Sequence, residues 1–160
     1  IREIARRELH VEPLAEDHLA LVCAEDSEFS SAVQKLPKTK VAPRSLKGFP
    51  LIVPDPDSGI RHWLDRILGD EGVLGSLDLV LETGGWSTIL AYVRDGLGVG
   101  IAGEDAAKHE SGLIVRRLDP AKFAPRITRL ICRYRHDAAG GRDLSSEAAA
   151  FRDTIIRVTR

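Results

Sequence analysis

Residues 94–105 read RDGLGVGIAGED, and Gly98, Gly100 and Gly103 fall in the G-x-G-x-x-G spacing of a dinucleotide-binding turn. That fingerprint needs a strand, then the glycine turn, then a helix whose N-terminus holds a pyrophosphate. Here the order is reversed. Trp86, Ile89, Leu90, Val93 and Leu97 recur at helical spacing and predict a helix ending near Asp95. Gly96 takes the place after the helix end, where a left-handed backbone suits glycine. GVGIA is then the strand itself. Its small residues allow a helix to pack closely over it or a ligand to approach its backbone. Asp119 stands about where a ribose-binding acid would be, but it closes the strand RRLD. NAD is not expected.

Working outward, LHVEPL (9–14) and HLALVCA (18–24) predict strands, the second apolar enough to be covered on both faces. KLPKTKVAPR (35–44) reads as a solvated connection, and SLKGFP as one helical turn at most. LIVP (51–54) is a short buried strand. Ile60, Trp63, Leu64, Ile67 and Leu68 form a helical stripe, with Asp57 or Ser58 as cap and Gly69 and Gly72 as its end. LDLVLE predicts a strand, EDAAKHE a short helix, and LIVRRL and ITRLICRYR further strands. A last helix sets Leu144, Ala148, Phe151, Ile155 and Val158 on one face, capped by Ser145. Strand and helix alternate from 51 to 108, the pattern of an α/β fold with a parallel sheet.

The 160 residues are 43% hydrophobic and 29% charged, with a formal net charge of −1. That is an ordinary globular composition, without the basic excess of a domain that holds nucleic acid by its own field. Cys23 and Cys132 each sit in an apolar run and read as small buried hydrophobes. No window reaches the ~18 apolar residues of a membrane span, and no signal peptide opens the chain. A reducing cytoplasm is the expected setting. The chain starts at Ile1 and holds no methionine, so it is expected to be a fragment or a processed product.

Motifs for catalysis are absent: there is no H-E-x-x-H, C-x-x-C or G-x-S-x-G. The five histidines are scattered without metal-ligand spacing. His62 reads as solvated. Glu25-Asp26 and Asp70-Glu71 read as surface acids in loops. No enzyme, metal or cofactor is expected. One arrangement stands out. Two helices start just after a strand with a small, polar, glycine-bearing turn, PDPDSGIR (54–61) and ETGGWST (82–88). Helix N-termini offer N–H donors and partial positive charge, which suits either ordinary capping or a carboxylate ligand.

Five stretches in fixed order carry a resemblance: EPLAEDHLALVCAEDSEF, SLKGFPLIVPDPDSGIRHWLDRIL, LVLETGGWSTILAYVRDGLGVGIAGEDAA, GLIVRRL and LSSEAAAFRDTI. Together they resemble the effector-binding domain of LysR-type transcriptional regulators, from about residue 12 to 158. The resemblance implies an α/β fold like type 2 periplasmic binding proteins, with two Rossmann-like lobes joined by crossover strands. It implies lobe 1 from residues 1–30 and 101–160, incomplete in this chain, and lobe 2 from 31–100. The crossovers are expected near 25–45 and 98–104. Ligand-binding positions carry over to Ser58 and Gly59 at one helix start and to Gly85, Trp86 and Ser87 at the other. Ala102 and Gly103 carry over on the hinge side. Trp86 reads either as a flat apolar wall or as the first residue of its helix stripe. Arg61 reads either as the partner of an effector carboxylate or, on the polar side of a first turn, as solvent-facing.

The family's winged helix-turn-helix, its linker helix and the opening strand–helix–strand of lobe 1 have no counterpart in the sequence. A His-Pro of the family is replaced near Glu28 and Phe29 by Ser-Glu-Phe. The implied function is small-molecule sensing for transcription, with no membrane role. The implied partners are a small-molecule effector such as a carboxylate and further copies of the chain as homodimer or homotetramer. RNA polymerase is implied too, and operator DNA through the N-terminal domain. An extracytoplasmic solute-binding protein of a transporter is the alternative on the same fold.

Overall fold

The computed structural model describes residues 9–136 and 142–159. The chain divides into two compact units, Asp17–Pro125 and a second made of 1–16 with 126–160.

The unit Asp17–Pro125 is built on a five-stranded sheet. Its strands are β2 (Leu19–Ala24), β3 (Pro50–Pro54), β4 (Asp78–Thr83), β5 (Val99–Gly103) and β6 (Leu113–Arg117). The order is β4-β3-β5-β2-β6. β3 runs parallel to β4 and β5, while β2 runs antiparallel to both β5 and β6. Helix α1 (Ser30–Gln34) follows β2, and α2 (Gly59–Asp70) follows β3. Helix α3 (Trp86–Arg94) follows β4, and α4 (Glu104–Lys108) follows β5. Every residue of β2 and β5 is buried, as their apolar runs predict. Leu51, Val53, Val99, Ile101, Leu21 and Cys23 form one core face with Leu64 and Leu68 of α2. Ile52, Ala102, Ala20 and Val22 form the other with Ile89, Leu90 and Val93 of α3 and Ala107 of α4.

The glycines of the opening motif are packing glycines. A Cβ on Gly98 would lie 2.5 Å from the Pro50 carbonyl oxygen. One on Gly100 would lie 2.7 and 2.9 Å from methyl carbons of Val93 and Ile89. β5 thus lets its neighbour strand and α3 come close, which a nucleotide turn has no need of. Helix α3 closes as its sequence predicts. Gly96 has φ +76°, its N–H donates to Val93, and the Leu97 N–H donates to Tyr92. That turn ends the helix at Arg94, so Leu97 leaves the stripe and is half exposed.

The unit boundaries fall at 16/17 and 125/126. Pairing holds the first unit together: Leu19–Val22 of β2 pair with Gly100–Gly103 of β5. LALVCA and GVGIA are therefore neighbouring inner strands of one sheet. The connection 35–44 is exposed as far as Lys40, apart from half-buried Leu36, but Val41 and Pro43 are buried. Val41 forms a parallel bridge with Leu118.

The second unit pairs β1 (Leu9–Asp17) with β7 (Arg126–Arg133), and β8 (Arg135–His136) with β9 (Arg142–Asp143). Helix α5 (Ser146–Thr159) follows. The Ser145 hydroxyl accepts from the Ala148 N–H, as its capping role predicts. The expected stripe is only partly buried: Leu144 is covered, while Phe151 and Val158 are exposed, as are Val11, Ile127 and Ile131. The described residues of this unit supply two two-stranded sheets and one helix, too few layers to bury every apolar face. Cys23 is buried but Cys132 only partly so.

Candidate functional site

Strands β3, β4 and β5 all end at one edge of the sheet, and each hands over to a helix there. β3 is the middle strand of the three. The chain leaves β3 toward the α2 face, but it leaves β4 and β5 toward the opposite face, where α3 and α4 pack. Ligand crevices of α/β sheets form where neighbouring strand ends diverge in this way. By that rule the candidate place is the end of β3, which diverges from both of its neighbours, β4 and β5.

At the β3 end the backbone is tied down. The Asp55 N–H donates to the Thr83 carbonyl, the Asp57 N–H to the Asp55 carboxylate and the Ser58 N–H to the Asp55 carbonyl. The Ser58 hydroxyl donates to the Asp55 carbonyl (2.8 Å) and accepts from the Arg61 N–H (3.2 Å). It is therefore the α2 cap, and its one hydrogen is spent locally. Gly59 is exposed beside it.

At the β4 end the design differs. Gly85 has φ +81° and ψ 138°, caps α3 without a side chain, and is exposed. Ser87 is exposed. Trp86 is half buried and touches both core clusters, so its indole lies across the sheet edge. It reaches the end of β5: a Cβ on Gly103 would stand 3.2 Å from Trp86 Nε1 and 2.6 Å from Asp17 Oδ2. Gly103, Trp86 and Asp17 thus share one corner. Asp17 Oδ1 also accepts from the Asp105 N–H at the start of α4. Sequence reasoning missed Asp17. The signal for it was a carboxylate just ahead of an all-buried strand.

Ala102 and Arg61 sit elsewhere than expected. Ala102 is fully buried in the core under α3, because its side chain alternates to the helix face of β5. Arg61 is neither solvent-facing nor turned to the crevice. It is 7% exposed. Its Nη1 donates to the Pro54 carbonyl (3.0 Å) and to Glu82, and its Nε donates to Asp65 (2.8 Å). Burial alone would weaken its charge, but the hydrogen bonds to Glu82 and Asp65 outweigh that and hold its pKa above the ordinary value. Cys23 shows the opposite balance for a thiol. Burial pushes its pKa up despite the Ser27 hydroxyl, which leaves it an inert packing residue.

Among the described residues no group of three His, Cys, Asp or Glu could hold a metal ion. None of the described helices is long and apolar enough to cross a membrane.

Comparison with known proteins defines the class. The family model for the LysR substrate binding domain matches residues 1–159, and the chain belongs to that family. It is an effector-binding domain of a LysR-type transcriptional regulator, a sensor class rather than an enzyme, with a type 2 periplasmic-binding-protein-like fold. Among solved structures it is similar to the CcmR regulatory domain of Synechocystis PCC6803 in complex with 2-PG. The two share 18% identity at a TM-score of 0.69, over 96% of this chain and 68% of that one. The effector binding domain of QuiR in complex with shikimate is 17% identical, with a TM-score of 0.66, over 99% of this chain and 68% of that one. The cofactor-binding domain of the Cbl transcriptional regulator is 22% identical, with a TM-score of 0.61, over 96% and 60%. No curated protein sequence matches the chain.

Proposed function

We propose that this domain takes its effector at the carboxyl edge of the five-stranded sheet, and that the effector is a small organic acid. The observation that carries this reading is the start of α3: Gly85 presents a helix N-terminus with no side-chain cap, beside an indole laid across the strand ends. Such a start suits a carboxylate or phosphate, and the indole suits a carbon ring or short chain. Gly59, Ser87 and Gly103 border the same edge, with Ser58 holding its own turn. The related domains in complex with 2-PG and shikimate support that ligand class. In the full regulator the sensor works as a homodimer or homotetramer in the cytoplasm. It contacts operator DNA through an N-terminal domain outside residues 1–160 and passes the signal to RNA polymerase. The effector acts by favouring one conformation of that assembly.

The test is a thermal-shift and calorimetric titration with shikimate, phosphoglycolate and simple hydroxy acids. At about 100 times its Kd a true effector adds roughly 2.7 kcal/mol of stability. Saturable stabilisation by at least one of them is expected, and it should vanish when phosphate-free buffer is replaced by high sulfate as competitor. No shift with any of them at millimolar concentration would overturn the reading.

A further inference from the structure

Arg61 occupies the third position of α2, counted from the Ser58 cap. A cation is disfavoured there by the helix's partial positive charge, and burial adds to the cost. Its contacts explain why the fold keeps it. The ladder between β3 and β4 is irregular: Leu51 pairs with Leu79, but Ile52 pairs with Leu81 and Val53 with Glu82, so Val80 is skipped. The faces confirm the slip. Leu79 packs with the α2-side core and Leu81 with the α3-side core, although an unbroken strand would turn both the same way. The bulge therefore turns Glu82 to the side of Val53 and α2, where Arg61 meets it.

We propose that Arg61 is a positioning residue for the effector edge. With Glu82 it locks the register of β4 beyond the bulge, and with the Pro54 carbonyl it anchors the end of β3. The turn 83–86 is thereby fixed against the start of α2. Among the described strands β4 lies at the edge, with β3 as its one neighbour to hold its register. A slip of one residue there would move Gly85 and Trp86 away from the crevice. This inference rests on reading that edge as the effector site.

The test is amide hydrogen exchange by mass spectrometry on the whole chain, with no ligand added. Glu82→Ala should speed exchange across residues 83–88 roughly tenfold and leave 99–103 unchanged. Arg61→Gln, which also loses the bond to the Pro54 carbonyl, should do at least as much, and the double variant should not exceed Arg61→Gln alone. Glu82→Gln, which keeps an acceptor for Arg61, should stay within about threefold of the parent. If Arg61→Gln does not fold, the two Glu82 variants carry the test, since Glu82 is partly exposed. Unchanged exchange at 83–88 in Glu82→Ala, an equal rise over the whole sheet, or Glu82→Gln as fast as Glu82→Ala would each overturn it. Because no ligand is present, failure here leaves the effector reading standing, and a failed titration leaves this one standing.

Discussion

The starts of α2 and α3 face the same sheet edge and are built in opposite ways. At α2, Ser58 gives its hydroxyl hydrogen to Asp55 and its oxygen to the Arg61 N–H, and the buried Arg61 closes the turn from beneath. At α3, Gly85 offers no cap and holds a left-handed backbone, and a large aromatic follows it. A start that satisfies its own donors serves the fold. A start that has no side chain to do so leaves its field for a ligand. Trp86 carries the largest share of this contrast, because it links both core faces. Trp86→Ala should cost about 3 kcal/mol in denaturant unfolding, at the low end for a core tryptophan because the ring is half buried. It should also abolish stabilisation by any acid the titration identifies. A loss under roughly 0.5 kcal/mol would place the indole outside the packing.

Gly85 gives the next effect. At φ +81° and ψ 138° a Cβ is strained whatever the space around it, so Gly85→Ala should cost about 1–3 kcal/mol. The matched change at the other start, Gly59→Ala, falls at a helical glycine with no atom within 4 Å of the new Cβ. It should be neutral or stabilise by about 0.5 kcal/mol. Equal effects at the two glycines, measured as unfolding midpoints, would erase the difference between the two starts.

Much of this edge was legible in the sequence, and the illegible part has physical causes. The reversed order around RDGLGVGIAGED excluded a nucleotide turn, and the all-buried β2 and β5 followed from LALVC and GVGIA. Helix starts at Ser58 and Gly85 followed from turn chemistry. The bulge at Val80 did not, because DLVLET alternates cleanly and nothing local reports a skipped residue. Without the bulge Glu82 faces away from α2, so Arg61 is left with only its i+4 neighbour Asp65 and reads as a surface residue. The burial of Ala102 was hidden in a similar way: the alternation along β5 was readable, but which face α3 would cover was not. Asp17 escaped because its partners, Gly103 and Asp105, lie more than 80 residues away in sequence. The pairing of β2 with β5 across the intervening β3–α3 segment was illegible for a similar reason.

Ser58→Ala is the smallest of the expected effects and the most direct probe of the capped start. It removes one acceptor for the Arg61 N–H and the bond to Asp55, which should cost about 1 kcal/mol, or roughly 2–4 °C in Tm for a chain of this size. Arg61 N–H keeps a second acceptor in the Ser58 carbonyl (3.0 Å), which limits the loss. If Ser58 only holds its own turn, the acid that stabilises the parent chain should stabilise Ser58→Ala by the same increment, measured as the Tm shift at matched ligand concentration. A ligand increment that falls with the cap would mean that the Ser58 hydroxyl turns from Asp55 to the effector on binding. The two starts would then be alike in the bound state and different only in the free one.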